Sequence, residues 1–426
     1  MRFLLAVLLC FSGALPVRAG PAEDVIGQWY RLTLELVRHT PTYSPPVAAR
    51  AYAYFGVIAW EVAASDDADL TSLAGQLAGL DALPARPEGL DQTVVLEAAL
   101  SLAAHELFAN TGPMGQRAMG AMSAQLDGEA ATDLSPQLIA DSTAYGQAVA
   151  RHVLDWSASD GGLVVENMGF PMAWNISSEP GHWVPTSTVI QQQAPLLPDW
   201  GNNRPLAMPA GTECGLPPPP AYSEEPSSEF YKQAVEVFEA VKNLSPEQEA
   251  IARFWSDDPM LSPTPPGHWI SITLDILDDQ DADFVTRADV LARLGIAVND
   301  AFIGCWHSKF EYDLIRPVAY IKALIEPNFE PILITPPFPE YPSGHSVQSG
   351  AAAMVLTALF GPDFAFDDAT HEDDGLDVRH FTSFYAAADE AAISRLYGGI
   401  HFRAAIDNGL LQGKCIGAYA AGLKTR

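Results

Sequence analysis

Apolar residues recur along most of this chain at helical spacing, three or four apart on one face with polar residues opposite. That rhythm predicts helices over 24–39, 46–64, 93–109, 116–126 and 136–157. It stops between 159 and 228, where prolines crowd, 217–220 are all proline, and Trp174, Trp183 and Trp200 are scattered. A stretch this aromatic has the apolar surface to stay ordered, so it reads as a wrapped excursion without regular structure. Helices resume over 228–242, 246–255, 269–278 and 281–315, and three more start near Ser343, Thr382 and His401. No segment alternates convincingly as a strand ladder. The expectation is an all-α protein with an N-terminal helical part (20–158), the Pro/Trp-rich excursion (159–228) and a C-terminal helical part (229–426). No flexible boundary separates them.

The polar positions of the last third are more pointed. Lys309 precedes Arg316-Pro317 by seven residues, Pro342-Ser343-Gly344-His345 follows, and Ser394-Arg395 precedes His401 by six. Seven residues is two helical turns, so Lys309 and Arg316 are expected on one helix face about 10 Å apart, reaching one anion from two sides. Pro317 is expected to end that helix. Ser343 stands before an alanine-rich apolar run as an N-cap. The N–H groups of Gly344 and His345 then lie at a positive helix terminus, a seat for an oxyanion. His345 is placed there to act as a general acid or base. Gly398-Gly399 is a natural helix stop, which sets Arg395 at the end of one helix and His401 at the start of the next. Three hard, hydrogen-bonding cations around two histidines suit a tetrahedral oxyanion better than a thiolate cage would.

Charge makes those clusters more informative. The chain carries 53 acidic against 23 basic Lys+Arg residues, a net charge of −30. Such acidity argues against nucleic acid and anionic membrane surfaces as partners. Met1-Arg2, the apolar run 3–11 and Val17-Arg18-Ala19 read as a secretory signal peptide (1–19) cut near Ala19, predicting a secreted or periplasmic protein. No other run approaches the roughly twenty apolar residues of a spanning helix. Cys214, Cys305 and Cys415 then allow one disulfide, and Cys305 and Cys415 are expected to be buried thiols. The acidic loop 362–380 reads as a solvated loop, with calcium as the other reading. Asp300 reads as part of a solvated face, or else as a partner that orients an arginine.

The pattern K-x6-RP, PSGH, SR-x5-H resembles the signature of vanadium-dependent haloperoxidases and of the related type 2 phosphatidic acid phosphatases. All seven signature positions are present, within residues 300–410, about a quarter of the chain. The resemblance implies helical bundles around vanadate, with Lys309, Arg316 and Arg395 neutralising its oxygens. It implies Ser343 and the Gly344 N–H as hydrogen-bond donors, His401 as the ligand to vanadium, and His345 as the mover of protons. Hydrogen peroxide, a halide and a small organic acceptor would be the reactants. The stretch from Thr335 to His345 looks most like secreted bacterial members of the iodoperoxidase type, which implies iodide first and bromide next. Trp306, one turn before Lys309, and Phe338, five residues before Ser343, would wall the halide side. The same pocket in an exported acid phosphatase would make His401 a nucleophile and His345 the leaving-group acid. Such phosphatases place an Asp four residues after the nucleophile; here that residue is Ala405, with Asp407 two further on, so the partner of the His401 ring is left open.

Overall fold

The computed structural model describes residues 21–426, and the leader reading of 1–19 falls outside them. Among the described residues the elements are α1 (Pro21–Arg38), α2 (Pro45–Asp66), α3 (Gln92–Leu107), α4 (Pro113–Ala130), α5 (Pro136–Ser157), α6 (Glu229–Lys242), α7 (Pro246–Phe254), α8 (Thr264–Asp279), α9 (Phe284–Tyr312), α10 (Pro317–Leu324), α11 (Gly344–Phe360), α12 (Phe384–Tyr397) and α13 (Arg403–Ala421). A short antiparallel ribbon, β1 (Phe366–Asp368) and β2 (Arg379–Phe381), pairs Phe366 with Phe381. The all-α expectation holds, and the excursion carries only single 3₁₀ turns. No described helix is long and apolar enough to cross a membrane.

Two nearly all-buried helices form the spine. Helix α2 is buried from Pro46 to Ala63 almost without a break and lies along α9, while α11 packs against α13. Small residues permit that second contact: a Cβ at Gly413 would fall 2.0 Å from the Val347 carbonyl oxygen. One apolar core runs from Val25 in α1 to Leu423 past α13, so the N-terminal helices buttress those that carry the basic clusters.

Several sequence expectations need correction. Helix α9 ends at Tyr312, because Asp313 takes a left-handed conformation (φ 43°), and Arg316 caps the separate helix α10. Pro317 opens a helix at its first position, where its missing N–H is no loss, and does not close one. Helix α8 starts at Thr264, five residues early, because Pro265 and Pro266 fit its first turn. The ribbon arises inside the loop read as wholly solvated: Asp368 is fully buried, and Phe366 and Phe381 face the core. Asp300 is likewise buried, and neither solvated nor holding an arginine. Its carboxylate accepts the N–H groups of Leu206, Ala207 and Met208 at 2.7–2.8 Å, tying the excursion to α9. Burial pushes it up to about 6 against those bonds. Cys305 is a buried thiol as expected, but Cys415 is bonded to Cys214. The bond closes a loop of 201 residues between the excursion and α13. Replacing both cysteines by alanine should lower the unfolding free energy by about 2–5 kcal/mol, read from denaturant curves; an unchanged midpoint would contradict a stabilising bond.

Candidate active site

Lys309 sits in the last turn of α9 with its ammonium wholly buried. It donates to the carbonyls of Pro339 (2.9 Å), Glu340 (3.0 Å) and Pro342 (2.5 Å), so its three N–H bonds pin the 339–342 segment against α9. Burial is the main cause that lowers it to about 7. Arg316 reaches the same segment from the start of α10, donating Nε–H to Phe338 O at 2.8 Å and Nη1–H to Ile400 O at 3.0 Å. Its Nη2 is buried and has no protein partner. Phe338 is clamped between the two cations, its ring centre 5.1 Å from Lys309 Nζ and 5.0 Å from the Arg316 guanidinium. Trp306 packs on Phe338 at 4.9 Å and gives its indole N–H to Leu196 O in the excursion.

The second cluster is the N-terminus of α11. Ser343 caps the helix as expected, its Oγ accepting from Ser346 N at 3.3 Å, which leaves the hydroxyl proton to donate. At Gly344 the position of a Cβ lies in van der Waals range of Phe302 and Trp306, 3.9 Å from each, and the residue lines a cavity. His345 follows, its Nε2 3.4 Å from Asp257 Oδ2 and Arg395 Nη1 3.3 Å from its ring. Burial, then Arg395, lowers it to about 4 against the pull of Asp257, so the ring is neutral near pH 7.

Helix α12 ends at Tyr397, and Gly399, at φ 79°, turns the chain into the His401 segment ahead of α13. Arg395 is held from behind by Trp255 O at 2.6 Å and Ser394 Oγ at 3.1 Å. His401 Nδ1 is 2.8 Å from Glu340 Oε1, which also accepts the Phe402 N–H at 2.8 Å. The Nδ1 proton therefore belongs to the carboxylate bond, and the lone pair lies on Nε2, 3.2 Å from Arg316 Nη1. Burial first, then Arg316, Lys309 and Arg395, holds His401 well below the ordinary histidine range. Burial pushes Glu340 up to about 7 while Arg316, the Phe402 N–H and Lys309 pull it down.

All nine residues singled out in the sequence converge. Trp306, Phe338, Gly344, His345, Arg395 and His401 line one cavity of about 360 Å³, and Lys309, Arg316 and Ser343 form the wall behind them. Glu340 lies outside the sequence expectations, which place a partner of the His401 ring four to six residues after it. Ala405 sits there buried, and its carbonyl takes the Ser343 N–H at 3.0 Å; Asp407 stays outside the cage. The only signal was an acidic residue inside the apolar, proline-rich run 336–342. The donor set fits an oxyanion: three buried cations, a capping hydroxyl, a helix terminus, one unpartnered guanidinium N–H group and a neutral imidazole with its lone pair inward.

Comparison with known proteins agrees with that geometry. Residues 289–426 match the family model described as the VCPO second helical-bundle domain. The vanadium chloroperoxidase of Curvularia inaequalis is 27% identical over 220 residues, covering 37% of this chain and 36% of that one. The vanadium-dependent bromoperoxidase of Ascophyllum nodosum is 36% identical over 124 residues, covering 24% and 22%. The matches thus span about a third or less of these curated relatives. A bacterial vanadium-dependent chloroperoxidase in its holo form shares the fold, with a TM-score of 0.68 over 91% of this chain at 16% identity. The crystal structure of the first bacterial vanadium-dependent iodoperoxidase superposes with a TM-score of 0.87 at 36% identity, over 96% of this chain and 98% of that one. With identity at that level sustained from end to end, this chain belongs to the vanadium haloperoxidase family.

Proposed function

We propose that this protein is a vanadate-dependent haloperoxidase that oxidises halide with hydrogen peroxide, iodide first and bromide next, to a hypohalous acid equivalent that can pass to a small organic acceptor. The observation that carries the reading is His401, whose Nδ1–H is fixed on Glu340 and whose Nε2 lone pair faces the buried cations. His401 would hold vanadium through Nε2. Arg316 Nη2 and Arg395 would meet the oxyanion directly. Lys309, whose three N–H bonds already go to carbonyls, would contribute its charge. The Ser343 hydroxyl and the Gly344 N–H would complete the hydrogen bonds.

Bound vanadate would supply a Lewis-acid centre that activates peroxide toward halide without changing its own redox state. The chain supplies the rest. His345, neutral, with Asp257 beside its Nε2 and Arg395 Nη1 3.3–3.4 Å from both ring nitrogens, would take a proton from entering peroxide and return it later. Trp306 and Phe338 give the halide side an apolar wall, which favours a weakly hydrated anion such as iodide. A His345→Ala protein should keep its vanadium and lose about 10²–10⁴-fold in turnover, the usual scale for a positioned acid or base. The Cys214–Cys415 bond supports export to an oxidising compartment, in line with the leader reading.

A phosphomonoesterase could use the same cage, and Glu340 removes the objection that Ala405 raised. Family membership weighs for the peroxidase. The deciding experiment follows iodide oxidation by vanadium-free protein with and without orthovanadate, beside p-nitrophenyl phosphate hydrolysis. Iodination that requires vanadate supports the proposal. Phosphate release that vanadate suppresses, with no iodination, overturns it.

A further inference from the structure

Asp257, which lines the cavity beside His345, also belongs to a second cluster whose two histidines the haloperoxidase chemistry does not use. Asp257 follows α7, His268 stands in the first turns of α8, and His371 lies between β1 and β2; all three are buried. His268 Nδ1 is 2.9 Å from Asp257 Oδ1, and His371 Nε2 is 3.5 Å from the same oxygen. His371 Nε2 makes no hydrogen bond although the residue is only 5% exposed. A buried ring nitrogen held only by a 3.5 Å contact to a carboxylate is poorly satisfied and points to a missing ligand.

The outer contacts make the pattern specific. Each histidine has its far nitrogen on a carboxylate: His268 Nε2 on Asp368 at 2.9 Å, and His371 Nδ1 on Asp374 at 3.0 Å. Asp374 in turn pairs with Arg38 of α1. A carboxylate behind each imidazole, fixing the ring and raising its basicity, is how proteins support histidines that bind metal. Aromatic walls surround the group, with Trp255 stacked on His268 at 4.4 Å and Phe254 edge-on to His371 at 5.3 Å. Bonds of about 2.0 Å at tetrahedral angles place ligand atoms about 3.3 Å apart; the two histidine–Asp257 separations bracket that value, and all three ligand atoms lie within 4.8 Å of one another.

We propose that Asp257, His268 and His371 form a binding site for one divalent cation of the zinc class, held by Asp257 Oδ1, His268 Nδ1 and His371 Nε2. Two imidazoles and a carboxylate suit zinc better than calcium or magnesium, which prefer oxygen. The ion balances the three carboxylates gathered there and joins the start of α8 to the ribbon loop. It also fixes Asp257, whose other oxygen faces His345. The site does not depend on the identity of the reaction above it.

Full-length protein stripped of metal with a chelator, and free of vanadate, would be titrated with Zn(II), separated from free metal by gel filtration and assayed for metal content. One zinc per chain is expected in the wild type and in His401→Ala, which lacks the histidine of the other site. His371→Gln should retain none under the same conditions, and Asp374→Asn should bind about 10–100-fold more weakly. Zinc should raise the unfolding temperature of the wild type and leave that of His371→Gln unchanged. A wild type that elutes without zinc overturns the proposal, as does a His371→Gln protein that keeps one equivalent. If His371→Gln does not fold, the wild-type count and Asp374→Asn decide, because Asp374 lies at the surface end of the chain of contacts.

Discussion

His401→Ala will retain no vanadate at a concentration that saturates the wild type, and its peroxide-dependent iodide oxidation will fall to background. The variant removes the lone pair on Nε2, the one neutral nitrogen that the structure turns toward Arg316 from inside the cage. Losing only the group behind a metal-binding histidine costs about 10–100-fold in affinity, so losing the histidine itself will cost more. The cage cations remain, so the variant will still attract oxyanions weakly by charge. The measurement is equilibrium dialysis with metal analysis, alongside far-ultraviolet circular dichroism to confirm the fold. Vanadium retained at one equivalent would sink the assignment of His401 as the ligand. Phosphate binding that survives with vanadate binding lost would instead isolate the coordinate bond, because phosphate needs only the cations and N–H groups.

The parts of this site that were legible in the sequence are those set by local rules. Ser343 could be read as an N-cap because a serine before an apolar run satisfies the first N–H groups of a helix, and Gly398-Gly399 as a stop because only glycine takes φ near 79° cheaply. The helical rhythm marked α5 to the residue, since Ser135 caps it and its buried face recurs each turn. What was missed depends on contacts across the chain. Lys309 and Arg316, expected on one helix face, stand on two helices, because the left-handed Asp313 breaks α9 between them. No helical spacing could show that break. Asp300 and Asp368 were read as solvated because an acidic side chain on its own belongs in water. Each is buried where N–H groups or an imidazole from a distant segment meet it. Cys415 was read as a thiol for the same reason, since its partner lies in the irregular excursion, where no periodicity fixes a position.

Glu340→Ala will weaken vanadate binding by about 10–100-fold and will also destabilise the vanadate-free protein. Glu340 does two things at once. Its Oε1 fixes the His401 ring through Nδ1 and holds the Phe402 N–H, and its carboxyl group lies under the influence of Arg316, whose Nη2 is unpartnered, and Lys309 in a wholly buried space. Removing the carboxylate leaves the buried Lys309 and Arg316 charges without the negative charge that offsets them, which lowers stability. Vanadate brings negative charge to the same space, so it will raise the unfolding temperature of Glu340→Ala by more than that of the wild type once both are saturated. Glu340→Gln separates the two roles. Its amide oxygen can still accept from His401 Nδ1 and Phe402 N, so it keeps the ring in place while losing the charge. If orientation dominates, Glu340→Gln will bind vanadate nearly as the wild type does and will share only the loss of stability. If basicity of the imidazole dominates, both variants will bind equally weakly. A Glu340→Ala protein with wild-type vanadate affinity would show that the cage cations alone position the oxyanion, and that the carboxylate behind His401 serves only the fold.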